Sequence, residues 1–143
     1  MPRVSLWMVR AALLHLLAGA AIGATMLAGK GLSSLVGALA LLGVHQELML
    51  IGWMVQMVLG VGFWIFPRLP GRAREEHSGF AALAAVLLNA GVLAACTGDL
   101  GSLGWITAAG RAAELAAVLL FLRIAWFRVR PYGLGAAAPG PTG

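Results

Sequence analysis

The sequence predicts an all-α integral membrane protein, a four-helix bundle with both termini on the cytoplasmic side. Three observations carry that reading. The 143-residue chain is 61% hydrophobic and only 10% charged, where soluble domains carry about 25% charged residues. Its apolar residues fall into four runs, each long enough as a helix to cross a hydrocarbon core of ~30 Å. Its basic residues gather at the ends of those runs and not in one patch, so the net charge of +5 orients the chain in lipid and argues against a nucleic-acid partner. The expected partner is the lipid bilayer, and the expected location the cytoplasmic (inner) membrane.

The first run spans residues 6–27, with Arg3 and Arg10 at its start and Lys30 beyond its end. It exceeds the roughly 7–15 apolar residues of a signal-peptide core and reads as a spanning helix. Gly19 and Gly23 form a GxxxG pair among Ala18, Ala20, Ala21 and Ala24, a surface that lets another helix come close. His15 lies about one turn inside Arg10. Residues 31–44 are apolar but broken by Gly31, Ser33, Ser34, Gly37 and Gly43. They read as a loop or interfacial helix, with the second crossing starting near His45. A single tilted helix from about Val36 is the other reading.

Between Glu47 and Arg68 lie 20 residues without a formal charge, the second crossing. Pro67, Pro70 and Gly71 end it. Residues 68–78 hold Arg68, Arg72, Arg74, Glu75, Glu76 and His77 and read as a solvated loop. The third run covers 79–96 with Asn89 near its middle, and 97–102 reads as a turn. The fourth covers 105–127, closed by Arg128, Arg130 and Pro131. Residues 1–130 thus form the membrane domain, and 131–143 a disordered Gly/Ala/Pro tail.

Arg3, Arg68, Arg72, Arg74, Arg128 and Arg130 fall on one side of this arrangement and Lys30 on the other, which makes the first side cytoplasmic. Trp7, Trp64 and Trp126 then sit near inner ends and Trp105 near an outer one, as interfacial anchors do. Cys96 is the chain's single cysteine, so no disulfide forms within one chain.

Polar residues inside the spans point to function. Projected at 100° per residue, His45, Gly52, Gln56 and Gly60 share an arc of roughly 80°. That face suits a closely packed neighbouring helix or a large flat ligand gripped by the imidazole. An ionisable side chain at membrane depth costs at least ~2.5 kcal/mol and needs a partner or a task. Arg111 and Glu114, three apart, can pair on one helix face, or Arg111 can clamp an acidic group such as a haem propionate. His45 and His15 are candidate iron ligands. Their depths differ by more than ~10 Å at the α-helical rise, so one iron cannot take both within one chain. The plain alternatives are a His45 bonded to Glu47 or to a carbonyl, and a His15 linking helices.

The run His45-x-Glu47-Leu48-Met49-Leu50-Ile51-Gly52-Trp53-x-x-Gln56-x-x-x-Gly60-Val61-x-x-Trp64-x-x-Pro67-Arg68 resembles the second membrane helix of haem-copper oxidase subunit I. The likeness is strongest to the nitric oxide reductase branch and the NnrS family. Leu87-Leu88-Asn89-Ala90-Gly91 and Glu114-Leu115-Ala116-Ala117 are similar to NnrS-like helices, less specifically. The resemblance implies that His45 is an axial haem ligand. It also implies that no binuclear centre can be assembled here, since the later helices that supply one are missing. The function expected from it is a haem b-binding, cytochrome b-like membrane protein for electron transfer or nitric oxide handling, working as a homo-oligomer or a respiratory complex subunit. His45 and His15 would be metal ligands, Gly52 and Gly60 would admit the ring, Gln56 would bond its edge, and Arg111 would clamp it. The alternatives are a cofactor-free accessory or assembly subunit, and a small transporter or proton path using His15, His45, Glu47, Arg111 and Glu114.

Overall fold

The structure, a computed structural model, describes residues 2–30, 38–66 and 72–128. Helix α1 runs Arg3–Ala28. A 3-10 turn at Ala38–Leu41 leads into α2, Leu42–Glu47, which continues without a break as a π-helical segment, Leu48–Val55, and then as α3, Gln56–Ile65. These pieces form one rod. Helix α4 is Arg72–Leu100 and α5 is Gly104–Arg128. The described chain is all-α, a four-helix bundle whose apolar stretches Arg3–Ala28, Leu39–Ile65, Ser78–Leu100 and Gly104–Trp126 are each long enough to span a membrane.

The boundaries differ from the sequence reading in three places. The second rod starts at Ala38, upstream of His45 and close to the start that the single-helix reading places at Val36. Helix α4 begins at Arg72, inside the expected polar loop, because Ala73, Arg74, Glu75 and Glu76 are all residues that tolerate helix well. At its far end α4 runs on through the expected turn to Leu100. There the Thr97 hydroxyl donates to Leu93 O and Ala94 O, 2.9 and 3.0 Å, and so costs the helix no unsatisfied group. The reversal is confined to residues 101–103, where Ser102 takes φ 52°. Pro67, Pro70, Gly71 and the tail 131–143 lie outside the described residues.

Glycine sets which helices lie closest. At Gly110 a Cβ would stand 2.6 Å from Ala95 N and 2.7 Å from Gly91 O, and at Gly91 it would stand 2.8 Å from Gly110 O. Helices α4 and α5 therefore touch backbone to backbone, the close approach that small residues permit between membrane helices. Helix α1 packs along the second rod through side chains set on glycines, Met49 on Gly19, His45 on Gly23, His15 on Gly52 and Met8 on Gly60, and α4 joins the two pairs. At one end Phe63, Ala81, Ala84, Phe121, Ile124 and Ala125 make a core cluster, with Phe63 and Phe121 edge to face at 6.5 Å. Arg128 Nη2 closes that end by donating to Phe66 O at 3.0 Å. Toward the other end Val44, Leu48, Val92 and Cys96 make a second cluster. Trp7, Trp105 and Trp126 face outward.

Candidate functional site

The shared face of His45, Gly52, Gln56 and Gly60 is turned against α1, and the fit is reciprocal. His45 Nδ1 lies 2.8 Å from Gly19 O, and its ring covers Gly23, where a Cβ would meet Cε1 at 2.8 Å. From the opposite helix His15 Nδ1 lies 3.0 Å from Gly52 O, and its ring covers Gly52, where a Cβ would meet Cγ at 2.8 Å. A carbonyl oxygen only accepts, so Nδ1 is the protonated nitrogen of both rings. Gly60 is covered by Met8 and Val9, and its carbonyl accepts from the buried Ser5 hydroxyl. Gln56, fully buried, donates through Nε2 to Met8 O and to Asn89 Oδ1, each at 3.2 Å.

This geometry corrects the haem b expectation. The glycine surface that was to admit a macrocycle is filled by α1: His15 stands on Gly52, and Met8 and Val9 stand on Gly60. Both imidazoles are engaged with helix carbonyls across that seam. Among the described residues no group of three or more His, Cys, Asp or Glu side chains converges to hold a metal ion. The residues present do not fit the group, and the cytochrome-like, electron-transfer and nitric oxide readings built on it fall with it. The face has the other use open to it, a closely packed neighbouring helix.

The charged residues come together elsewhere. Arg111 Nη1 of α5 lies 2.6 Å from Glu47 Oε2 of the second rod, with the Glu47 side chain 0% and the Arg111 side chain 51% exposed. Glu114, one turn along α5 and also buried, lies beside both and interacts electrostatically with each. The sequence offers Arg111 a partner in Glu114, on the same helix, or an acidic group to clamp; the ion pair crosses to Glu47, and Glu114 stands beside it. Gly91 makes room for this, since a Cβ there would strike Glu114 Cγ at 2.8 Å. Oε1 of Glu47, Oε1 of Glu114 and Oε1 of Gln56 are buried without a hydrogen-bond partner among the described residues.

The depth of this cluster follows from its place along the spans. Glu114 lies ten residues after Gly104 and twelve before Trp126, which at the α-helical rise is ~15 Å or more from either end. Glu47 and Arg111 lie eight and seven residues inside Leu39 and Gly104, roughly 10–12 Å. Two carboxyls and one guanidinium thus meet well inside the apolar length of the bundle. Sequence spacing offers Glu47 as one member of a proton path but not as the partner of Arg111, because that contact joins two helices; the signal available was that Glu47, Arg111 and Glu114 all stand at least seven residues inside their spans. Comparison with protein families, with curated proteins and with solved structures finds no match to this chain.

Proposed function

We propose that the protein handles protons in a membrane, with Glu47, Glu114 and Arg111 as the site that takes up and releases them. The observation that carries this reading is the excess, among the described residues, of one buried carboxyl over the guanidinium that faces the cluster. With both carboxyls ionised the cluster carries one uncompensated negative charge, which a buried site accommodates poorly. With one proton bound it is neutral. A site that is neutral only when protonated is a proton-binding site, and intramembrane acid groups of this kind mark proton relays and proton-coupled transporters. Arg111, held at the cluster, keeps one carboxylate charged and leaves the other to exchange.

In this reading both termini face the cytoplasm, as the arginines at residues 3, 68, 72, 74, 128 and 130 favour under the positive-inside rule, and the membrane is the cytoplasmic one. Self-association is part of the reading, supported by apolar faces of α1 and α5 that the bundle leaves uncovered, with Leu13, Leu14, Leu17, Leu115, Leu119 and Leu122 exposed. The test is proton movement in liposomes holding the purified full-length chain and a trapped pH-sensitive dye, with a potassium-diffusion potential as driving force. The wild type is expected to acidify or alkalise the lumen faster than protein-free liposomes, and Glu114→Gln to return the rate to that background. A wild-type rate equal to background, or a Glu114→Gln variant as fast as wild type, refutes the proposal.

A further inference from the structure

The second rod leaves α winding over Leu48–Val55, the stretch that begins immediately after Glu47. π winding is rare, is mostly confined to a single turn, and collects at functional places. A turn closed by i→i+5 bonds holds one residue more than a turn closed by i→i+4 bonds. Relaxing one such turn to α geometry would therefore swing the preceding residues by about 100° around the rod, the angular step of one residue. Glu47 would leave Arg111, while Gln56 and Gly60 on α3 stayed against α1. The winding is thus what lets one rod present Gln56 and Gly60 to α1 and Glu47 to α5.

What holds the winding enters from α1. His15 Nδ1 lies 3.0 Å from Gly52 O, in the middle of the segment. Its ring rests on the bare Gly52 backbone, where a Cβ would meet Cγ, Nδ1 and Cβ of the imidazole at 2.8, 2.9 and 3.0 Å. A side-chain donor inserted into a helix's bonding ladder is a recognised cause of local departure from α geometry, because it satisfies a carbonyl that the regular ladder would otherwise claim. His15 makes no hydrogen bond to Glu47 or Arg111 among the described residues.

We propose that His15 is a positioning residue: by holding the π register through Gly52 O it sets Glu47 against Arg111. This rests on the preceding reading only in what it says the site is for. The pairing itself is measurable without proton movement, so either proposal can fail alone. The experiment is a double-mutant cycle of Glu47→Gln and Arg111→Gln, read as unfolding equilibria of the full-length chain in bicelles, repeated with His15→Asn and His15→Phe. In the wild type the two residues are expected to be coupled by roughly tenfold in the unfolding equilibrium constant. His15→Asn, which retains an N–H near the place of Nδ1, is expected to keep that coupling, and His15→Phe to reduce it to about twofold or less. A merely structural loss would lower stability at all four corners and leave the coupling intact, so equal coupling in His15→Phe and wild type overturns the proposal. Where His15→Phe does not fold, it is combined with deletion of Met54, which turns one π turn into an α turn without swinging its flanks; the pair is expected to fold and to keep the coupling, and loss of the coupling in the folded pair overturns the proposal. Where neither variant folds, a 13C=18O label at the Gly52 carbonyl of the wild type decides: an amide I band shifted down relative to the same label at Gly62 is expected, and coincident bands overturn it.

Discussion

Substituting Gly110 by Ala tests whether the α4–α5 seam is what brings Arg111 and Glu114 to their place. The added Cβ would stand 2.6 Å from Ala95 N and 2.7 Å from Gly91 O. Ordinary contact begins near 3.4 Å, so the two helices must part by about 0.8 Å, and a gap of that size forfeits a quarter to a half of each contact across it. Both neighbours are backbone atoms and cannot rotate away, which puts the cost at the upper end of the ~1–3 kcal/mol range for overpacking. Alanine's better helix propensity returns about 1 kcal/mol, leaving a net loss of about 2 kcal/mol. Gly79 is the control: it lies in α4, and nothing stands within 4 Å of its would-be Cβ, so Gly79→Ala is expected to gain ~0.5–1 kcal/mol from propensity alone. The assay is reversible unfolding in mixed micelles, followed by far-UV circular dichroism. Equal stability of the two variants would show that α4 and α5 are not in backbone contact, and the seam would then explain nothing about the site.

Three further outcomes follow from the same contacts. Arg111→Gln leaves the fully buried Glu47 carboxylate without its counter-ion and is expected to destabilise by about 3 kcal/mol, more than Glu47→Gln, which leaves a half-exposed guanidinium; adding Glu47→Gln to Arg111→Gln should recover part of the loss in the same unfolding assay. Gln56→Leu removes two 3.2 Å hydrogen bonds but also a buried oxygen that has no partner among the described residues, so its effect is expected to stay within about 1 kcal/mol, in line with interhelical hydrogen bonds in membranes. Gly23→Ala would drive its Cβ to 2.8 Å from His45 Cε1 and push the ring off Gly19 O, which 15N NMR of the labelled imidazole should register as loss of the hydrogen-bonded Nδ1 signal.

The four spans were legible because hydropathy alone decides them: each run is long and apolar enough to need lipid. The turning of His45, Gly52, Gln56 and Gly60 to one side was legible too, since three of the four stand four residues apart. What filled that side was not. A glycine reports that something comes close, and an imidazole from α1 satisfies it as well as a cofactor ring would. The π segment left no trace in the pattern, because Leu48–Val55 is apolar on nearly every side and carries no periodicity to break. Spacing offers Arg111 a partner in Glu114 because it sees partners within one helix; the Glu47 contact depends on how two rods lie against each other, which spacing does not encode. Continuation of α4 through Thr97 and Gly98 was hidden by turn-forming residues whose polar groups the helix itself satisfies.

The backbone-to-backbone seam at Gly91 and Gly110 has a mechanical corollary. Side chains that interdigitate can slide by exchanging rotamers, but two main chains in direct contact have no such freedom, and a reversal of only three residues ties their ends. Helices α4 and α5 therefore behave as one stiff fork on which Arg111 and Glu114 are mounted. Any stroke that opens the cluster has to be made by the rod that carries Glu47, so labels on that rod would register movement while labels on the fork stayed still.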